Sequence, residues 1–364
     1  MEQIKKIKIG VLGAGISGLS FAKLAQETYD VEILEKNSIW GGIAKTRVIG
    51  DAVYHPIGGH CFNSKHPEVL KFVFEKVLSK DQWHLVDRDA VIKLRDQEIS
   101  YPIEYSIKEI NKIDKELALN ITTDFLSAID DNNYENLEQW FRKKFGNTLS
   151  ELYFIPYNTK IWNKHPSLMS PSRVEGKLPL PNKGSFFQAL LSDVKDQMPH
   201  SSFYYPNSNN QQTFIDALAN GLNITCDFEI TKISYDETNM KWLINDQKVY
   251  DLLVSTLPLN QICHLIEDVP NDFLYYYSNL KYNQVTSMLW ETKPTNLTWT
   301  YLPENSTFFH RYIHIGNFYL PRKNYTITET VGNKTYEEMV ENGKKDSFLL
   351  KPLAYNVSNH AYVV

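Results

Sequence analysis

The stretch Ile7-Lys-Ile-Gly-Val-Leu12-Gly13-Ala-Gly15-Ile16-Ser17-Gly18, followed by Val31-Glu-Ile-Leu-Glu35, decides the fold. Ile7 to Leu12 reads as a short buried strand. The glycine run turns it into a helix reaching about Ala25, and Val31 to Glu35 is the returning strand. A GxGxxG match gains meaning from this strand–turn–helix–strand order. Gly13 permits the tight turn, Gly15 lets the backbone approach a pyrophosphate, and Gly18 permits close packing of helix on sheet. Ile16 and Ser17 open the helix, where unpaired N–H groups face the phosphates. Glu35, twenty-two residues after Gly13, stands at the strand end, placed to accept hydrogen bonds from ribose hydroxyls. The unit predicts a dinucleotide site, with a glycine-rich turn and a surface glutamate as the plainer alternative.

Around this unit the chain has 364 residues, too many for one ordinary core, so two or three domains are expected. With 42% hydrophobic and 22% charged residues the composition is that of a globular protein and not a disordered one. A net charge of -5 argues against a nucleic-acid surface. Cys61, Cys226 and Cys263 are too far apart in sequence for a zinc site or a disulfide framework, and no metal site is expected. No secretory h-region and no stretch of about twenty apolar residues occurs, so a cytoplasmic location without a transmembrane segment is expected.

Further along, Ala90–Leu94 and Glu98–Ile103 read as strands. Helical patterns run from Ser106 to about Tyr153, with Leu137 to Gly146 the clearest amphipathic piece. Prolines at 156, 166, 171, 179 and 181 are expected to break regular structure. Helix returns at Ser185–Val194 and Gln211–Asn220. Asn223–Thr225, Glu229–Ile233 and Val249–Thr256 read as strands, and residues 283–327 as mostly sheet.

The segment after Glu35-Lys36, Trp40-Gly41-Gly42-Ile43-Ala44-Lys45-Thr46, resembles the glycine pair of the two-dinucleotide-binding-domain flavoproteins. There the glycines pass close to the pyrophosphate and ribityl region of FAD. That resemblance implies FAD as cofactor, with Lys36, Gly42 and Ile43 beside it. Lys45 or Arg47 adds positive charge or is a solvated surface residue.

Downstream segments are similar to those of the UDP-galactopyranose mutases, the flavin-dependent sugar-nucleotide mutases. His55-Pro-Ile-Gly58-Gly59-His60-Cys-Phe62 resembles their loop beside the isoalloxazine, and Tyr101-Pro-Ile103 their entry to a helical substrate domain. Leu152-Tyr153-Phe154-Ile-Pro-Tyr157-Asn-Thr-Lys-Ile-Trp162 resembles the segment bearing substrate-facing aromatics. Phe309-His-Arg311 matches a strand with a diphosphate-binding arginine, and Tyr355 resembles a late tyrosine near the diphosphate.

The resemblance implies an α/β fold: a Rossmann-like FAD-binding domain, a helical substrate domain and an antiparallel sheet domain, discontinuous in sequence. On this pattern residues 1–80, 204–257 and 340–364 form the FAD domain. Residues 104–162 form the helical domain, and 81–103, 163–203 and 258–339 the sheet. The implied activity is isomerisation of UDP-galactopyranose and UDP-galactofuranose, or a related UDP-sugar, in cell-wall and surface-polysaccharide synthesis. In the family it runs through a reduced-flavin N5–sugar adduct, with NADPH or another reductant keeping FAD reduced, and a homodimer is possible. Gly58, Gly59 and His60 would flank the flavin, His60 packing on it or taking a direct chemical part. Tyr153, Phe154, Tyr157 and Trp162 would line the UDP-sugar channel, and Arg311 and Tyr355 would meet the diphosphate.

Three departures accompany the resemblance. Lys177 stands where the mutases carry a mobile-loop arginine, keeping the charge without the bidentate fork. Phe203 to Asn210 carries asparagines where many relatives have glycines. Relatives also continue past the position of Val364 into a glycine-arginine segment and a helix supporting the flavin, so the expectation is either a piece of a longer protein or a branch with weaker FAD binding. An amine-oxidase or protoporphyrinogen-oxidase type of flavin chemistry, and a non-catalytic relative, are the competing readings.

Overall fold

Residues 6–128, 133–174, 178–191 and 201–363 are described by the computed structural model. The opening unit forms as its pattern requires: β1 (Lys8–Leu12), α1 (Ile16–Ala25) and β2 (Asp30–Leu34). β1 pairs in parallel with β2 on one side and with the strand Leu252–Ser255 on the other, and Asn223–Thr225 extends the sheet beyond β2. Both faces are covered, which is why these strands are near-continuous apolar runs. Ile9, Val11, Val31 and Ile33 pack with Leu19 and Ala22 of α1 and with Ile215 and Leu218 of the helix Gln212–Ala219. Alternation sends Leu12 and Leu34 to the opposite face. There they meet Ile233, Ile244 and Tyr250 of an antiparallel meander, Ile233–Asp236, Lys241–Ile244 and Lys248–Tyr250.

The second sheet has seven strands in the order 349–363, 282–292, 325–331, 311–313, 299–301, 90–94 and 97–100. Every junction is antiparallel except that between Trp299–Tyr301 and Ala90–Leu94. Helices Ile107–Ile113, Lys115–Ser127, Leu137–Phe145, Ile155–Trp162 and Lys183–Leu191 supply the helical part. Trp140, Phe141 and Phe145 from these helices, with Phe154 just before Ile155–Trp162, share one core with Ile92, Ile99, Leu289, Ile313 and Ile327 of the sheet.

Several expectations are corrected. Residues 349–363 do not join the Rossmann-like sheet: they run antiparallel along Tyr282–Thr292 at the edge of the seven-stranded sheet. Their ladder to that neighbour is what places them there. The run Val249–Thr256 divides at Asp251, whose carboxylate accepts from the Lys8 amide at 2.7 Å and pairs with Lys241. Glu229–Ile233 is not a strand; the strand begins at Ile233. Pro156 does not break the helical run, because it sits in the first turn of Ile155–Trp162, just after a wide turn at Ser150–Phe154. A first-turn position needs no N–H donor, so proline is tolerated there. The strand Trp83–Asp87, not foreseen, pairs antiparallel with Ser202–Pro206.

Candidate cofactor and substrate site

At the opening of α1 the N-cap is Gly15, with no side chain capping the helix. Two chain segments converge there. The Gly41 amide donates to the Ala14 carbonyl at 2.8 Å, and Gly15 and Gly41 form a parallel bridge. A Cβ on Gly42 would come within 3.0 Å of the Gly15 Cα, and Gly42 itself has φ +57°. Gly18 is set by packing: a Cβ there would lie 2.1 Å from the Gly13 carbonyl oxygen. The result is a side-chain-free cradle in front of helix amides, the donor set that suits a pyrophosphate.

Glu35 is buried beside this cradle. Its Oε2 accepts from the Ala14 amide at 2.9 Å, and its Oε1 accepts from the Asn37 amide at 3.0 Å and from Asn37 Nδ2 at 2.6 Å. The carboxylate is therefore fixed against the glycine turn, with part of its acceptor capacity taken by Asn37, a residue the motif did not single out. Gly13, Gly15, Ile16, Ser17, Gly18, Glu35 and Gly42 are brought together. This arrangement fits the ADP half of FAD: the cradle would hold the pyrophosphate and Glu35 the ribose.

A second set of predicted residues lies over one face of the seven-stranded sheet. Cross-strand neighbours share a face, so the pairings Tyr301↔Arg311, Arg311↔Glu329, Ser287↔Glu329 and Ser287↔Asn356 define a single row. The loop from His55 to His60 rests on that row. The Gly58 amide donates to Glu329 Oε1 at 2.6 Å, Ser287 Oγ donates to the Pro56 carbonyl at 2.6 Å, and Asn356 Nδ2 reaches the same carbonyl at 3.4 Å. Arg311 Nε pairs with Glu329 Oε2, leaving the arginine side chain 22% exposed. Gly59 abuts Ile313 and Trp299, where an added Cβ would lie 2.7 Å from Ile313.

His60 donates its backbone N–H to Nδ1 of His55, whose Nε2 contacts the Tyr205 hydroxyl at 2.9 Å. Burial holds His55 down to about 3, so it stays neutral and fixes the loop. Burial also lowers the pKa of His60, against the opposing effects of Glu329 and of the Ile57 and Ile43 backbones. Its Nε2 is buried with no hydrogen-bond partner. A neutral ring in this place suits packing against a planar group.

On the helical side a cavity of about 780 Å³ is lined by Tyr153, Phe154, Tyr157 and Trp162 together with Tyr101 and Tyr301. All four predicted aromatics thus meet. Tyr153 and Tyr157 stack at 5.3 Å, while Phe154 also stacks on Phe145 at 4.1 Å and so doubles as core. Tyr301 lines the cavity and is the cross-strand neighbour of Arg311, which joins the cavity to the polar row. Glu104, missed by the motif reading, also lines the cavity. It is only 3% exposed, and its Oε1 has no partner. Burial pushes its pKa up to about 8.

Tyr355 is a correction. It sits in the row with Met288, Thr328 and Tyr312, on the face turned away from Arg311, and its hydroxyl donates to the Lys334 carbonyl. Asn356, one residue on, occupies the site face. Lys177 lies outside the described residues. Lys36 and Ile43 are exposed next to the cradle. Among the described residues, no helix is long and apolar enough to cross a membrane.

The fold sets a glycine cradle on a Rossmann-like parallel sheet and an aromatic cavity over a second, mostly antiparallel sheet. Residues 11–75 match the family model described as NAD(P)-binding Rossmann-like domain. Among solved structures, reduced UDP-galactopyranose mutase superposes with a TM-score of 0.83 at 18% identity, over 98% of this chain and 83% of that one. A putative protoporphyrinogen oxidase from an Exiguobacterium species gives 0.73 at 16% identity, over 100% and 88%. Putrescine oxidase bound to putrescine gives 0.61 at 12% identity, over 97% and 84%. The fold of this chain is therefore that shared by the mutase and these oxidases.

Proposed function

We propose that the chain binds FAD and, with the cofactor reduced by NADPH or another reductant, interconverts the pyranose and furanose forms of a UDP-sugar. The observation that carries this reading is the Tyr301–Arg311 neighbour pair. It sets an aromatic cavity suited to a base and sugar beside a guanidinium suited to a diphosphate, and the Gly58–His60 loop rests on the same row. Bound in its reduced form, FAD would supply the nucleophile for the sugar's anomeric carbon. The chain's own residues would do the rest. Tyr153, Tyr157 and Trp162 hold the nucleotide-sugar, and Arg311 offsets the charge of the departing diphosphate. The neutral His60 ring packs beside the cofactor and shields it from water. Incubating FAD-loaded protein with dithionite and UDP-galactofuranose tests the reading: formation of the pyranose supports it, and no conversion with bound, reducible flavin refutes it.

A second reading, amine oxidation, draws on Glu104. A buried carboxyl among tyrosines would become a counter-ion to an alkylammonium group. Anaerobic bleaching of the flavin by a diamine, with no such change on adding UDP-galactose, would favour it.

A further inference from the structure

The carboxylate of Glu329 is fully buried and has its two oxygens on different partners. Oε1 takes the Gly58 amide at 2.6 Å, and Oε2 takes Arg311 Nε, with His310 Nε2 3.6 Å away. Gly58 has φ +67° and opens the Gly58–Gly59–His60 turn, and its Cβ position lies 3.6 Å from an Arg311 terminal nitrogen. One carboxylate therefore stands between the cation expected to meet a diphosphate and the turn expected to meet the flavin. Although burial alone would raise its pKa, the Arg311 and His310 partners hold it well below the usual carboxylate range, so it is ionised throughout the working pH range.

We infer that Glu329 is a positioning residue that couples anion binding at Arg311 to the Gly58 amide, so that a diphosphate in the cleft changes the surroundings of the cofactor. This rests on the FAD and UDP-sugar reading above. An anion on the guanidinium competes with Oε2 for it. The charge on Glu329 then bears more heavily on the Gly58 N–H, and the turn carrying Gly59 and His60 responds. A buried ion pair with a second hydrogen bond has few ways to relax, which makes it a suitable relay. Arg311, Glu329 and Gly58 do not line the aromatic cavity, so a ligand lacking phosphates should not trigger the coupling.

The experiment uses the full chain loaded with FAD and follows the visible flavin difference spectrum at saturation, with occupancy fixed independently by calorimetry. UDP is expected to shift the wild-type spectrum, and uridine, which lacks the diphosphate, to leave it unchanged. E329Q, isosteric and still able to accept from the Gly58 amide, is expected to bind FAD and UDP yet lose the UDP-induced shift. A wild-type shift in E329Q, or the same shift from uridine as from UDP, would overturn the inference. The uridine arm needs no variant, so it decides the matter even if E329Q fails to fold. Failure of the wild type to bind FAD or UDP would instead sink the functional reading on which this rests.

Discussion

Gly15 and Gly42 face each other across a slot so narrow that a Cβ on Gly42 would stop 3.0 Å from the Gly15 Cα. They come from different segments, one opening α1 and the other following β2, and the gap is kept free of side chains in front of the helix amides. Gly18, three residues after Gly15, serves the fold and not the slot.

This division separates two variants. G18A drives a methyl to 2.1 Å from the Gly13 carbonyl, and should lower stability by roughly 1–3 kcal/mol through overpacking. In G15A the new methyl stands 3.9 Å from the Gly42 Cα, an ordinary contact. Apo G15A should therefore unfold at the wild-type temperature. Thermal unfolding of the cofactor-free proteins reads the difference, and equal losses in both would contradict it.

Glu35 and Asn37 give opposite effects. Removing the carboxylate in E35A takes away a charged hydrogen-bond acceptor worth about 1.5–3 kcal/mol, so FAD affinity should fall roughly 10- to 100-fold. N37A releases Oε1 from the Asn37 side chain, a bond of 2.6 Å, and should leave FAD affinity equal or tighter. A matching loss in N37A, measured by fluorescence quenching of FAD, would show that Asn37 itself touches the cofactor.

Stability should fall with rising pH because of Glu104. Its unfolded value is near 4.5, and burial raises the folded value to about 8. Between these values folding takes up a proton, so stability is fully present below the lower value and is lost as pH climbs to the upper one. E104Q stays neutral throughout. In urea denaturation it should match the wild type at acid pH and exceed it at pH 8 by up to about 4 kcal/mol. A difference that is the same at both pH values would place the effect elsewhere.

The cavity aromatics divide between packing and binding. Phe154 is 2% exposed and stacked on Phe145, so F154A should cost about 3–5 kcal/mol of stability. Trp162 is half-buried at the cavity wall, with its Nε1 on Asn158 Oδ1 at 3.0 Å. W162A should unfold close to the wild type and bind UDP-sugar about tenfold more weakly, a change of roughly 1.4 kcal/mol. Calorimetry with UDP-galactose and a melt of each variant would check both halves.

Legibility in the sequence tracked contact range. The β1–α1–β2 unit and the cradle glycines were readable because their partners lie within about forty residues, and the aromatics because they share one short segment. Glu329 was hidden: its partners Arg311 and Gly58 are joined only by sheet register and by a 271-residue separation. The exchange of Asn356 for Tyr355 has the same origin, since a one-residue offset in a strand turns a side chain to the other face. That strand carries register shifts along its neighbour, between Asn283 and Val285, Leu289 and Trp290, and Glu291 and Thr292. The pairing of Trp83–Asp87 with Ser202–Pro206 was equally remote. Glu104 was missed because nothing in its local pattern marks a carboxyl for burial.

The most direct measurement is FAD titration into cofactor-free wild type and G15A, followed by calorimetry and by the absorbance of the isolated complexes. One FAD per wild-type chain is expected, with no measurable uptake by a folded G15A chain. Equal uptake by both proteins, or none by the wild type, would contradict the assignment of the slot beside Glu35 as the cofactor site.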